Sequence, residues 1–219
     1  IDAEGFRVDL VAVDREAFRL ANDVVSTQIL WFVHHGLYDL PRAPAFGRDL
    51  RDAWLAYRHV NEAFADAVAE HAPEGAALLV QDYHLSLLGV ALAERRPDVA
   101  AVHFSHTPFA TPTWLGVLPN HVSGELLSSL AAHRACGFHS RRWADDFLAC
   151  CRTSLALTPA TFVSPLPADA DDLRRAASSP ACEAALADIE EQVGDRAVVA
   201  RVDRIELSKN LLRGFQAFD

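Results

Sequence analysis

The sequence has no methionine, no cysteine pair at CxxC spacing, no apolar stretch near the roughly 20 residues that cross a bilayer, and no long run of Lys or Arg. Each absence excludes something. Without CxxC spacing, Cys136, Cys150, Cys151 and Cys182 indicate neither structural zinc nor a redox dithiol, and adjacent Cys150 and Cys151 read as ordinary thiols. A formal charge of −10 with no basic stripe argues against a nucleic-acid partner, because phosphate binding depends on clustered positive charge. A membrane partner is not expected either. The N-terminus, IDAEGFRVDL, lacks the basic and apolar regions of a signal peptide, so a cytoplasmic location is expected. Neither GxGxxG nor GxxxxGK[ST] occurs, so dinucleotide and P-loop chemistry have no direct support. A chain that starts at Ile1 and has no Met is expected to be a piece of a longer protein.

The 51% hydrophobic content is ample for a core. Phe6 to Val13 alternates like a strand, and Arg15 to Gly36 is apolar at helical intervals, with Asp14 as N-cap and Gly36 as stop. After a Pro41 to Gly47 loop, a second amphipathic helix is expected over Asp49 to His71, with Trp54, Tyr57, Val60, Phe64 and Val68 on one face. Strand ALLVQ follows. Then come helix Leu85 to Arg96, strand Val99 to Phe104, a loop with Pro108 and Pro112, helix Ser123 to His133, strand Ala135 to Phe138, helix Arg142 to Cys151 and strand Thr161 to Ser164. This alternation predicts an α/β fold with a Rossmann-like, doubly wound parallel sheet.

A Pro, Ala and Asp rich section ending at AASSPA reads as a hinge. Beyond it a helix near Cys182 to Gln192, strand AVVARV (Ala197 to Val202) and a helix from Ser208 to Phe218 read as the opening β-α unit of a second domain. The expected domains are 1–178, lacking its N-terminal start, and 179–219.

Three polar clusters fall at the carboxyl ends of expected strands, where ligands bind in open parallel sheets. They are Gln81-Asp82-Tyr83-His84, Ser105-His106-Thr107-Pro108, and Asp203-Arg204 with Ser208-Lys209-Asn210. Asp82 could accept from sugar hydroxyls, act as a base, or merely cap the following helix. His106 stands where a backbone held extended before Pro108 could aim its imidazole at a ligand, or it is a satisfied core histidine. Arg204 and Lys209 could converge on a diphosphate, or form surface pairs with Asp203 and Glu206. His84 reads as structural. His34 and His35, adjacent on a helix, point to different sides and make a poor metal pair.

Taken in order, several stretches resemble glycosyltransferase family 20, the trehalose-6-phosphate synthases. They are ILW (Ile29 to Trp31), YRHVNEAFADAV (Tyr57 to Val68), VQDYHLSLL (Val80 to Leu88), HFSHTPFATP (His103 to Pro112), VLP (Val117 to Pro119), GFHSRRWADDFL (Gly137 to Leu148) and VDRIELSKN (Val202 to Asn210). The resemblance implies a GT-B arrangement of two Rossmann-like domains, the first for an acceptor sugar phosphate and the second for a nucleotide-sugar donor. It implies retaining transfer of glucose from a nucleoside diphosphate glucose to glucose 6-phosphate, with no cofactor and no metal. By position, Asp82 would hold acceptor hydroxyls and Trp31 would line the acceptor pocket. His106 would sit against the transferred glucose, while Arg204 and Lys209 would bind the donor diphosphate and favour its departure. The partners implied are those two small molecules, with homo-oligomerisation left open.

The sequence also departs from the family pattern. Asn22 stands where the synthases usually carry a tyrosine that contacts the acceptor phosphate, which keeps open glucosylglycerol-phosphate synthases and cyclitol-phosphate pseudoglycosyltransferases. A non-catalytic regulatory relative is the remaining alternative. The family's Pro-Ile-Gly-Ile before the hinge appears as Pro165-Leu166-Pro167-Ala168. Its N-terminal glycine pair and late acidic residues are not found, so the chain alone is expected to be inactive.

Overall fold

The computed structural model describes residues 2–3, 6–38 and 46–219. Residues 41–45 of the expected Pro41 to Gly47 loop lie outside them. The chain divides into two compact units, Ile1–Pro165 and Leu166–Asp219. The sequence-based limit at 178/179 falls at the link between two helices of the second unit.

The first unit opens with a two-residue antiparallel pair, β1 (Asp2–Ala3) and β2 (Phe6–Arg7). The strand expected from Phe6 to Val13 thus stops at Arg7, and the rest forms no ladder, leaving Leu10 exposed. Asp14 caps the next helix, accepting from the backbone N–H groups of Glu16 and Ala17 at 2.9 Å. That helix is continuous but not uniform: α1 (Arg15–Arg19) passes into a π-helical stretch, Leu20–Leu30, then α2 (Trp31–His34). It ends at Gly36, whose φ of +65° and close approach to the Trp114 indole both suit a residue without Cβ. Helix α3 (Arg48–His71) buries Leu50, Ala53, Trp54, Tyr57, Val60, Asn61 and Ala65, one helical face as its periodicity requires.

The sheet follows. Strand β3 (Ala77–Gln81) leads through a 3₁₀ turn, Tyr83–Leu85, into α4 (Leu88–Arg95). Strand β4 (Ala100–Ser105) leads through short α5 (Pro112–Leu115) and α6 (Asn120–Ala131) to β5 (Ala135–Phe138). Helix α7 (Arg141–Leu155) then returns the chain to β6 (Thr161–Val163). All pairings are parallel in the order β3-β4-β5-β6, so consecutive strands are neighbours and all four carboxyl ends face one edge. Two glycines let these layers close. A Cβ at Gly89 would lie 2.1 Å from the Ser129 carbonyl oxygen, and one at Gly137 would lie 2.4 Å from both the Phe104 and Phe162 rings.

The second unit opens at the start of the section read as a hinge and carries two helices there, α8 (Ala170–Ala177) and α9 (Pro180–Val193). Asp169 and Ser179 cap them, and Pro180 opens α9: the Asp, Ser and Pro residues start helices there. The strand expected over Ala197–Val202 is not formed, since a strand needs a neighbouring ladder and this unit contains none; Val202 is 99% exposed. A 3₁₀ turn, Leu207–Lys209, and α10 (Leu211–Gln216) complete the unit. Among the described residues no helix is long and apolar enough to cross a membrane.

Candidate active site

The site grows from the way β3 ends. The Asp82 amide adds one more ladder bond, to the Phe104 carbonyl at 2.8 Å, and the chain then turns with Asp82 at φ 59°, ψ −176°. That conformation costs a non-glycine residue ~1–3 kcal/mol and persists only where surrounding contacts fix it. Here they do. Asp82 makes no helix cap; its Oδ1 accepts from the His106 amide at 3.2 Å and the Thr107 hydroxyl at 3.4 Å, across to the loop after β4. The Asp82 carbonyl accepts from His103 Nε2 at 3.0 Å.

Helix α3 secures the turn itself. The Tyr57 hydroxyl donates to the Tyr83 carbonyl at 2.5 Å and accepts from the Ser86 amide at 3.1 Å. Asn61 Oδ1 accepts from the Leu87 amide at 2.9 Å, while its Nδ2 donates to the Tyr57 carbonyl. Burial pushes the Tyr57 phenol up to about 12, so it stays protonated as this donor role requires.

His106 is exposed, and both its ring nitrogens are engaged at the strand ends. Nε2 lies 2.7 Å from Gln81 Oε1, at the end of β3, and Nδ1 lies 3.2 Å from His139 Nε2, just past β5. With the amide oxygen accepting, Nε2 carries the proton, and Nδ1 accepts from His139. Asp82 and His106, expected to share one site, are therefore brought together, and Gln81 and His139 join them. Sequence reasoning missed His139 as a partner, although it holds the same place after β5 that Asp82 holds after β3.

The other acceptor-side candidates lie on the first helix. Trp31 packs half-buried, its ring 4.1 Å from that of His35 and 4.9 Å from that of Phe32. Asn22 lines a small, mostly apolar cavity of about 130 Å³ with Phe18, Ser26, Phe64, His84 and Leu85. His84 stacks on Tyr83 at 4.5 Å, a packing role. His34 and His35 diverge: His34 Nδ1 accepts from the Ala110 amide at 3.2 Å, and His35 Nδ1 bonds the Trp31 carbonyl at 2.7 Å. Burial pushes both His34 and His103 down to about 3 and also lowers His133. The thiols of Cys136, Cys150 and Cys151 are pushed up to about 12 by burial, consistent with inert core residues.

In the second unit Arg204 and Lys209 both meet Glu206. Arg204 lies 3.3 Å and Lys209 3.4 Å from the same oxygen, Glu206 Oε1, which also accepts from the Ser208 hydroxyl at 2.5 Å. These contacts, led by the Ser208 hydrogen bond, lower the Glu206 carboxyl. Both cations thus form surface pairs with Glu206, the alternative reading of this cluster. Arg204 stays 78% exposed in its side chain, and Lys209 is the only lysine of the sequence.

A parallel α/β sheet with polar residues at its carboxyl edge defines a Rossmann-like domain. The fold matches a solved structure described as trehalose-6-phosphate from E. coli bound with UDP-2-fluoro glucose, at TM-score 0.80 and 23% identity over 94% of this chain and 47% of that one. The model of glycosyltransferase family 20 matches residues 2–219, and the chain belongs to that family. Arabidopsis thaliana alpha,alpha-trehalose-phosphate synthase [UDP-forming] 1 is 31% identical over 95% of this chain and 23% of its own length. Validamine 7-phosphate valienyltransferase of Streptomyces hygroscopicus subsp. jinggangensis is 28% identical over 64% of this chain and 29% of its own. The chain thus spans less than half the length of these relatives.

Proposed function

We propose that this chain belongs to a retaining glycosyltransferase that moves glucose from a nucleoside diphosphate glucose, UDP-glucose by the names of its relatives, to glucose 6-phosphate, giving α,α-trehalose 6-phosphate. The observation that carries this reading is the Asp82 carboxylate bonded to the His106 backbone at adjoining strand ends in a family 20 chain. Asp82 and Trp31 serve the acceptor, and His106 contacts the glucose being transferred. Arg204 and Lys209 take the donor diphosphate in place of Glu206. As the glycosidic bond breaks, negative charge grows on the leaving phosphate, and fixed cations stabilise that state more than the ground state. The leaving phosphate itself takes the acceptor proton, so no protein nucleophile is required. A cytoplasmic setting suits four free thiols.

Asn22 favours a second reading in which the acceptor is a different phosphorylated polyol or cyclitol, and the valienyltransferase among the relatives supports it. The fold alone carries no turnover, so a non-catalytic relative is the third outcome. One assay separates them: the enzyme containing this chain is incubated with labelled UDP-glucose and a panel of phosphorylated acceptors. Product with glucose 6-phosphate is expected; product only with another acceptor establishes the second reading, and none with any acceptor overturns transfer.

A further inference from the structure

We propose that His103 is a positioning residue for Asp82, and that it sets the acceptor side of the site from beneath the sheet. This deepens the proposed function and rests on its placing Asp82 against the acceptor. The register makes it possible. His103 pairs with Val80 in the ladder, and the alternation of β4 turns His103 and Ser105 inward while Phe104 faces the other side. From there the imidazole reaches along β3 to the first residue past its end, and Nε2 meets the Asp82 carbonyl at 3.0 Å. A carbonyl oxygen only accepts, so Nε2 carries the hydrogen.

On its carbonyl side Asp82 leads into the 3₁₀ turn that Tyr57 and Asn61 secure, and His103 Nε2 is the side-chain donor that meets its carbonyl oxygen directly. The ladder bond fixes its amide, and the His106 amide and Thr107 hydroxyl fix its carboxylate. His103 adds a restraint from inside the core, where it is closely packed. Its ring is 1% exposed and lies edge-on to that of His133 at a centroid distance of 5.4 Å. His133 is anchored in turn through Nδ1, 3.1 Å from both the Ser129 and Leu130 carbonyls, in space kept open by Gly89. A Cβ at Gly89 would lie 2.6 Å from His133 Nδ1. The carboxylate is thus oriented by a column of packed rings that no ligand need touch.

The test uses His103→Phe, which keeps an aromatic ring and removes the donor, and His103→Gln, whose amide nitrogen can replace Nε2. In the 219-residue chain, H103F should raise hydrogen exchange of the His106 amide by about tenfold or more while β5 amides keep their rates, and H103Q should restore protection. An unchanged His106 amide in H103F, or identical behaviour of the two variants, overturns the proposal. Nitrogen NMR of the unmodified chain gives a readout independent of folding of either variant: a proton resident on His103 Nε2 is expected, and a proton on Nδ1 instead rules the arrangement out. In the active enzyme, H103F should raise the acceptor KM with donor KM unchanged. If the amide result holds and acceptor KM does not move, the positioning role stands and the acceptor assignment of Asp82 fails.

Discussion

The polar clusters of the two units are built in opposite ways. At the strand ends of the first unit, every functional group is held by a different element: Asp82 by the loop after β4 and by His103, His106 by Gln81 and His139, and the intervening turn by Tyr57 and Asn61 of α3. In the second unit Arg204, Ser208 and Lys209 all satisfy one carboxylate, Glu206, in their own short segment. The first cluster is a product of tertiary structure and cannot relax without disturbing the sheet. The second is local and exposed, so its cations can leave Glu206 for another anion with little change elsewhere. On the proposed function, the contrast fits an acceptor held by directional hydrogen bonds and a diphosphate held by charge.

The contrast breaks first where packing under the strand-end cluster is tightest. Gly89→Ala places a methyl group within 2.1 Å of the Ser129 backbone oxygen and 2.6 Å of His133 Nδ1, and backbone cannot step aside as a side-chain end can. A loss of ~3 kcal/mol or more is expected. All four tryptophans lie in the first unit, so fluorescence-detected urea unfolding reports on that unit directly. A loss below ~1 kcal/mol would show that α4 and α6 are not in the close contact described.

Acid should act on the same unit with nearly equal force. His34 and His103 are held neutral down to about pH 3 by burial, whereas an unfolded histidine titrates near 6.5. Their folded pKa values are depressed, so their stabilising contribution is complete above about pH 6.5 and is lost as pH falls toward 3. Each contributes up to ~1.4 kcal/mol per pH unit in that window. Together they should lower stability by ~2–3 kcal/mol between pH 6 and 5, with His133 adding to the loss. Urea midpoints at several pH values measure this, and a flat profile would mean that the imidazoles are solvated.

A smaller cost is expected from Asn61→Leu, which leaves the buried Leu87 amide without its acceptor: ~1–3 kcal/mol, with faster exchange at Leu87.

Much of the first unit was legible because its strands are short apolar runs and its helices carry one apolar face, as in α3 with Trp54, Tyr57 and Val60. Asp82 and His106 were legible because strand ends are where such sheets bind ligands. The work of His103 was not, since a histidine inside an apolar strand gives no sign of which backbone oxygen it will meet until the register is known. For the same reason Tyr57 and Asn61 read as a core face and an unremarked polar residue, although they secure the turn. Phe6 to Val13 and Ala197 to Val202 show the limit of periodicity: alternation and apolarity are necessary for a strand, but a ladder partner decides. Asp169 and Ser179, in the section read as a hinge, cap α8 and α9, helix starts that the sequence reading passed over.

The least disturbance should come from the second cluster. Arg204→Ala and Lys209→Ala remove exposed pairs to Glu206, and such solvent-screened pairs contribute little to stability. Followed by circular dichroism, which reports on the helices of the second unit that the tryptophans do not sample, neither variant should shift the urea midpoint measurably, and helical content should be unaltered. The single lysine allows a sharper measurement. Reductive methylation with a carbon-13 label places one side-chain reporter on the chain, at Lys209, beside that of the α-amine. Its NMR signal should shift on Glu206→Gln and again on addition of inorganic pyrophosphate, the second shift disappearing in Arg204→Ala. If pyrophosphate moves the signal equally with and without Arg204, the two cations do not act as a pair, and their convergence on Glu206 is only a surface contact.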